Sequence, residues 1–140
     1  MVANRMPSSI SPTKLRAYSW CPLAYRYRFI DQLRFPPTPE SLLGSALHVM
    51  MEANFRYKRR SHSDLTIEEL EEVFDGAWDR DLPGQTDNPR LSGENFDVAR
   101  ELGYAMTAFF RDTVAPNVKP HLVEHRFKFM MDGVPVPIIG

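Results

Sequence analysis

Residues 99–140 read ARELGYAMTAFFRDTVAPNVKPHLVEHRFKFMMDGVPVPIIG, and within them the apolar period changes once. Ala99, Leu102, Gly103, Met106, Phe109, Phe110 and Thr113 recur at the ~3.6-residue spacing of an amphipathic helix, which Pro116 closes. Beyond it Val123, His125, Phe127, Phe129 and Met131 alternate with Glu124, Arg126, Lys128 and Met130, the two-residue period of a strand. Asp132-Gly133 is a hairpin turn signal, and VPVPIIG then begins a returning strand. Pro135 and Pro137 confine the start of that strand to an edge or a bulge, because proline cannot donate to a ladder. The change of period predicts an antiparallel hairpin, with about 121–131 pairing with 134–139 and helices over about 11–115. The fold class is α+β.

Upstream the chain is helical in pattern throughout. Ser11 reads as an N-cap with Pro12 at the first helical position, and Ile10 and Leu15 are spaced as a hydrophobic staple. Pro22 breaks this first helix near Trp20. A short second helix follows, with Leu23, Tyr27 and Ile30 on one face and Tyr25 with Phe29 on another. PPTPE (36–40) is a stiff connector. From about Glu40 to Arg60, Leu43, Leu47, Met50 and Asn54 form a stripe flanked by Leu42, Ala46 and Met51. Thr66 and Glu69 spell a capping box, with Leu65 and Leu70 as its staple and Ile67, Leu70, Phe74, Ala77 and Trp78 as the apolar stripe behind it. PGQTDNPRLSG (83–93) is a loop by composition. One hairpin would leave a sheet face uncovered, and two strands rarely stand alone, so the sequence reads as cut in the middle of a sheet.

The chain has 140 residues, 43% of them hydrophobic and 25% charged, the make-up of one soluble domain. No apolar run approaches the roughly 18 residues of a membrane span, and MVANRMPSSISP lacks the apolar region of a secretory signal. A cytoplasmic location, with no membrane partner, is therefore the expectation. The single cysteine excludes an internal disulfide. Net charge is −1, but residues 1–60 carry ten Lys/Arg against three Asp/Glu, whereas residues 61–101 carry three against twelve. The first block can form a local phosphate-binding surface; equally, both blocks read as solvated helix faces.

Two residues stand off the apolar face of their element. His48 lies beside Gly44, one turn earlier, and Glu52, one turn later, on a helix whose stripe centres near Leu43 and Met50. It reads either as a solvent-facing histidine or as a metal ligand or proton-transfer group, with Gly44 leaving room for a close neighbour. Glu124 shares the polar face of its strand with Arg126 and Lys128. It reads either as a member of a cross-strand ion pair or as a carboxylate aimed at a divalent cation, which takes hard oxygen ligands. His121 and His125 on a strand do not present both rings together, which argues against zinc. In CPLAYRYRF, Cys21 is by itself a small packing residue. Tyr25, Arg26, Tyr27 and Arg28 read either as groups that stack on bases and pair with phosphates or as a mixed face of core aromatics and solvated arginines. Walker A, G-x-G-x-x-G, G-x-S-x-G and EF-hand patterns are absent from the sequence.

The order of these features resembles a known family. ISPTKLRAYSWCPLAYRYRF resembles the opening of the RecB-like PD-(D/E)XK nucleases, in which a Ser-x-Ser/Thr-x-Leu helix runs into Cys-Pro and an aromatic-basic segment. LLGSALHVMME resembles the family's G-x-x-x-H helix and puts Gly44 and His48 on that motif. LVEHRFKF resembles the Val-Glu strand before the catalytic core, and VPIIG the lead-in to the Gly-x-x-Asp strand, with Gly140 as its glycine.

The resemblance implies a restriction-endonuclease-like domain of which residues 1–140 are the N-terminal part, the hairpin beginning the core sheet. It implies a parent that hydrolyses DNA phosphodiesters with Mg²⁺ or Mn²⁺, in repair, a phage or a CRISPR system. His48 and Glu124 would be catalytic metal ligands, and a helicase domain or subunit is a possible partner. Lys14, Arg16, Tyr25, Arg26 and Arg28 would contact nucleic acid. Cys21 matches the first cysteine of the iron–sulfur members, whose other three are absent from this sequence, so the chain itself does not support a cluster. The metal-binding aspartate is expected three residues after Gly140 and the Asp/Glu-x-Lys pair on the next strand, so residues 1–140 alone are expected to be inactive. The resemblance also implies that His48 and Glu124 approach each other. Two other readings compete with it: an inactivated nuclease fold that binds DNA or a helicase, and a helical protein-interaction domain.

Overall fold

The computed structural model describes residues 7–33, 36–82 and 94–140, so the expected loop at 83–93 lies outside the described residues. The chain forms two compact units, one of Pro36–Glu124 and one of Met1–Phe35 with His125–Gly140. Among the described residues no helix is long and apolar enough to cross a membrane.

Pro36–Glu124 contains the hydrophobic core. Helix α3 (Pro39–Ser61) starts at a capping box in which Thr38 and Ser41 satisfy each other's backbone N–H, at 3.2 and 2.9 Å. It stops at His62, which takes the left-handed conformation (φ 62°) common just past a helix end. Helix α4 (Ile67–Asp81) starts on the Thr66–Glu69 box that the sequence spells. Its buried residues, Leu70, Phe74, Ala77 and Trp78, are those the spacing predicts. On α3 the buried face is Leu42, Ala46, Leu47, Met50 and Asn54, turned slightly from the expected stripe so that Leu43 is only half-buried. Fully burying an aliphatic or aromatic side chain contributes about 1.5–3 kcal/mol, so this cluster is the main source of stability.

The last helix corrects the sequence reading. Helix α5 (Glu94–Phe109) buries Phe96, Ala99, Gly103, Thr107 and, just beyond its end, Phe110. Leu102, Met106 and Phe109 of the expected stripe are exposed. The apolar surface of α5 is wider than its contact, and Gly103 decides which edge is used. A Cβ at Gly103 would run into the Phe74 ring, so α4 packs where α5 has no side chain. The helix continues as one π turn, Phe110–Val114, closed by Ala115 N–H bonding to Phe110 O. That five-residue step keeps Phe110 and Ala115 buried on one face.

Polar groups fix the joints. The Asn54 amide, fully buried, donates to Asp64 Oδ1 and accepts from Leu65 N, both at 2.9 Å, pinning the α3–α4 turn. Lys58 pairs with Asp64 at 3.0 Å and also donates to Ala115 O, while Arg111 Nε donates to Leu65 O at 2.6 Å. Burial acts most strongly on Asp64 and pushes its carboxyl up. The hydrogen bonds from Asn54 and Lys58, with the charges of Lys58 and Arg111, outweigh it and hold the group below the ordinary aspartate range. Asp75 accepts from Arg100 and from the Tyr104 hydroxyl, joining α4 to α5.

The other unit has a different construction. Ser11 caps α1 (Pro12–Trp20) by accepting from Lys14 N at 3.3 Å, with Pro12 at the first position as expected. Cys21 caps α2 (Pro22–Tyr25), which runs on as a π turn over Arg26–Ile30. The hairpin is shorter than predicted. Only Lys128–Phe129 (β1) and Ile138–Ile139 (β2) are strands, paired antiparallel as Lys128 with Ile139 and Phe129 with Ile138. Residues 121–127, Glu124 among them, are not strand, and Glu124 has a positive φ of 47° that breaks an extended run. The turn is where Asp132-Gly133 puts it: Val134 N donates to Met131 O at 3.0 Å, and Gly133 supplies φ 80°. Pro135 and Pro137 fall in the approach to β2, and the other side of β2 is covered, since Ile10 pairs parallel with Ile138.

Candidate functional site

Within Pro36–Glu124, α3 carries His48 on the side away from its buried face, 58% exposed at the side chain. The backbone of Glu124 turns its carboxylate towards that helix. His48 Nε2 lies 3.2 Å from Glu124 Oε1, and the Glu124 side chain is 51% exposed. The two residues that the sequence sets off their apolar faces are thus brought together, although Glu124 arrives on a bend and not on a strand. A positive φ at a non-glycine residue is uncommon and costs on the order of 1 kcal/mol, so the backbone at Glu124 is locally strained.

The neighbours of the pair define what it offers. The Glu52 carboxylate, one turn beyond His48, is tied to Arg56 in an i,i+4 ion pair. A Cβ at Gly44 would meet nothing within 4 Å, so the room that glycine leaves has no occupant among the described residues. His48 and Glu124 therefore supply one imidazole nitrogen and one carboxylate. Their 3.2 Å separation is close to the roughly 3 Å edge of an octahedron with ligands at about 2.0–2.1 Å. Both donor types bind divalent transition metals, and the carboxylate also suits Mg²⁺. No group of three or more His, Cys, Asp or Glu gathers among the described residues, so these two donors do not by themselves make a metal site.

The cationic candidates of the N-terminal segment divide in two. Lys14 Nζ donates to Ser9 O and Oγ, at 3.0 and 3.1 Å. Arg26 Nε sits 3.3 Å from Asp31, a pairing that the five-residue π turn brings about. Arg16 and Arg28 have no carboxylate within 4 Å among the described residues, and both line a groove of about 400 Å³ with Thr13, Ala17, Trp20 and Ala24. Tyr25, expected as a base-stacking residue, is half-buried and has its ring against Tyr18 and Phe29, at 5.4 and 5.1 Å. The aromatic that lines this groove is Trp20, 88% accessible, which the sequence reading used only as a helix end. Its signal was its place on one face with Thr13, Arg16 and Ala17 (i−7, i−4, i−3).

The remaining motif residues have local roles. The Cys21 sulfur, half-buried, accepts from Ala24 N at 3.5 Å and so serves as a helix cap. Gly140 lies under the Phe127 ring, which occupies the place a Cβ would take. It also pairs with Phe127 through both backbone hydrogen bonds, at 2.9 and 3.2 Å.

No curated protein and no solved structure matches the chain. A model of the PD-(D/E)XK nuclease superfamily matches residues 9–140, nearly the whole sequence. The chain therefore belongs to the PD-(D/E)XK nuclease superfamily, which points to phosphodiester hydrolysis of the nuclease type.

Proposed function

We propose that His48 and Glu124 are two of the ligands of a catalytic Mg²⁺ or Mn²⁺ in a RecB-like DNA nuclease. In this reading residues 1–140 form the N-terminal part of one nuclease domain. The observation that carries it is the 3.2 Å approach of His48 and Glu124, two exposed residues from distant parts of the chain that both fall on motifs of the resemblance. When bound, the cation would activate water and stabilise charge on the phosphoryl oxygens. The protein's own part is to fix its two donors. A helix holds His48, and a constrained bend keeps the Glu124 carboxylate beside it. Phosphate contacts fall to Arg16 and Arg28, with Lys14, Arg26 and Tyr25 shaping the segment that carries them. Exonuclease action, a helicase partner, a cytoplasmic location and a role in repair, phage or CRISPR biology belong to the same proposal. Cys21 is a cap that would need partners outside residues 1–140 to hold an iron–sulfur cluster.

The test is degradation of plasmid and single-stranded DNA with Mg²⁺ or Mn²⁺, by residues 1–140 and by a chain that adds the Gly-x-x-Asp and Asp/Glu-x-Lys residues. The longer chain should cut, residues 1–140 alone should not, and His48→Ala in the longer chain should lower cutting at least tenfold. Metal-dependent cutting by residues 1–140 alone would show that the active site is placed wrongly. Unimpaired cutting by the His48→Ala chain would return His48 to a surface residue. A longer chain that binds DNA and never cuts would be a binding module.

A further inference from the structure

We propose that the groove between α1 and α2 holds one unpaired nucleotide of a DNA strand, its base stacked on Trp20 and its flanking phosphates paired with Arg16 and Arg28. The proposal rests on the nuclease reading for the identity of the ligand and goes beyond it in assigning a base site and a single-strand preference. The groove has the parts that such a ligand needs. Thr13, Arg16, Ala17 and Trp20 line up along one face of α1, while Ala24 comes from α2 and Arg28 from the π turn that continues it. Two alanines make a low floor on which a flat ring can lie. Trp20 is the most exposed of the large hydrophobic residues among the described residues, at 88%, and offers an indole face as a platform.

The distribution of charge points to phosphate. Of the four cations expected at nucleic acid, Lys14 and Arg26 are engaged within the chain, and the two left open share this groove. The Arg28 guanidinium carbon sits 5.4 Å from the centroid of the Phe29 ring, which limits its freedom. Guanidinium groups match phosphate oxygens with two parallel donors, and stacking on an aromatic face accepts any base. In a duplex the base faces are covered by their neighbours, so a Trp platform of this kind selects unpaired strands.

The protein carries its own reporter. Its two tryptophans are Trp20 and Trp78, and Trp78 is 2% exposed in the core, so long-wavelength emission belongs to Trp20. The experiment is a fluorescence titration of the 140-residue chain with oligothymidylate in EDTA, repeated with a duplex, an abasic oligomer and an acidic peptide. Oligothymidylate should quench the long-wavelength emission saturably and bind at least tenfold tighter than the duplex. The abasic oligomer should bind more weakly and leave the emission unchanged. Trp20→Ala should weaken single-strand binding roughly tenfold, the range expected for one stacked base, and Trp20→Phe should restore most of it. Arg16→Gln and Arg28→Gln should each reduce the slope of log K against log salt by about 0.7, whereas Arg80→Gln, with the same change in net charge, should not.

Unchanged single-strand binding by Trp20→Ala, with its far-ultraviolet circular dichroism intact, would overturn the proposal. So would equal affinity for the duplex, equal quenching by the acidic peptide, or Trp20 emission already blue-shifted in the free chain. Because the titration contains no metal and needs no cutting, a failed nuclease assay leaves its result standing, and a failed titration leaves the metal ligands standing.

Discussion

The unit of Pro36–Glu124 and the unit formed by the two ends of the described chain are stabilised in different ways. In the first, α3, α4 and α5 all contribute buried side chains, and the polar groups between them are paired, down to the amide of Asn54. In the second, α1 and α2 bury no residue, and among its described residues none is buried at all. Order there comes from caps, from the Tyr18–Tyr25–Phe29 ring contacts and from a short ladder of Ile10, β2 and β1. The difference is one of function as well as stability. Side chains committed to a core cannot meet a ligand, and the second unit keeps Arg16, Arg28 and Trp20 outside any core.

The contrast breaks most readily at Phe74. Phe74→Ala removes the ring shared by α4 and α5 and should cost roughly 4 kcal/mol of global stability, read as a lower urea midpoint. A loss under about 1 kcal/mol would mean that Pro36–Glu124 is not held by this core. Asp64→Ala should cost about 3 kcal/mol, since it strands the Lys58 ammonium, whose side chain is only 12% exposed. The pH dependence has a definite sign. Asp64 is held below its ordinary value, so its contribution is complete above the unfolded aspartate pKa of about 3.9 and fades as pH falls through the lower folded value. Stability measured from pH 5 down to pH 2 should drop less steeply in Asp64→Asn than in the parent, and equal slopes would remove Asp64 from the account. The smallest effect belongs to the other unit. Ser11→Ala should cost about 1 kcal/mol, seen as faster amide exchange in α1 with exchange in α3–α5 unchanged.

The sequence told most where local chemistry and burial agree. Thr66, Glu69 and the α4 stripe form a self-consistent signal, because a cap and an amphipathic face on one helix constrain each other. It told less where a helix has more apolar surface than it buries. Nothing in the spacing of Leu102, Met106 and Phe109 reveals that Phe74 seats on Gly103 and leaves those residues outside. Alternation through Val123–Met131 overstated the strand, since a period of two records which side residues face and not whether a partner strand lies alongside. The positive φ of Glu124 is invisible in its residue type. The pairing of His48 with Glu124 was foreseen only because the order of motifs supplied a reason for it. Trp20 escaped for the opposite reason: no motif claimed it, and only its exposure beside two open guanidinium groups marks it.

The π turn at Phe110–Val114 also bears on how this helix tolerates changes in length. It holds one residue more than an α-helical turn would need to carry the chain from Phe110 to Ala115. Removal of Thr113 would convert that five-residue step into the ordinary four and still leave Phe110 and Ala115 on one side. Removal of Met106 would instead rotate everything downstream by about 100° relative to the core. The urea midpoint of the Thr113 deletion should therefore stay nearer the parent than that of the Met106 deletion. The turn marks the place at the end of α5 where a codon can be lost at least cost to the fold.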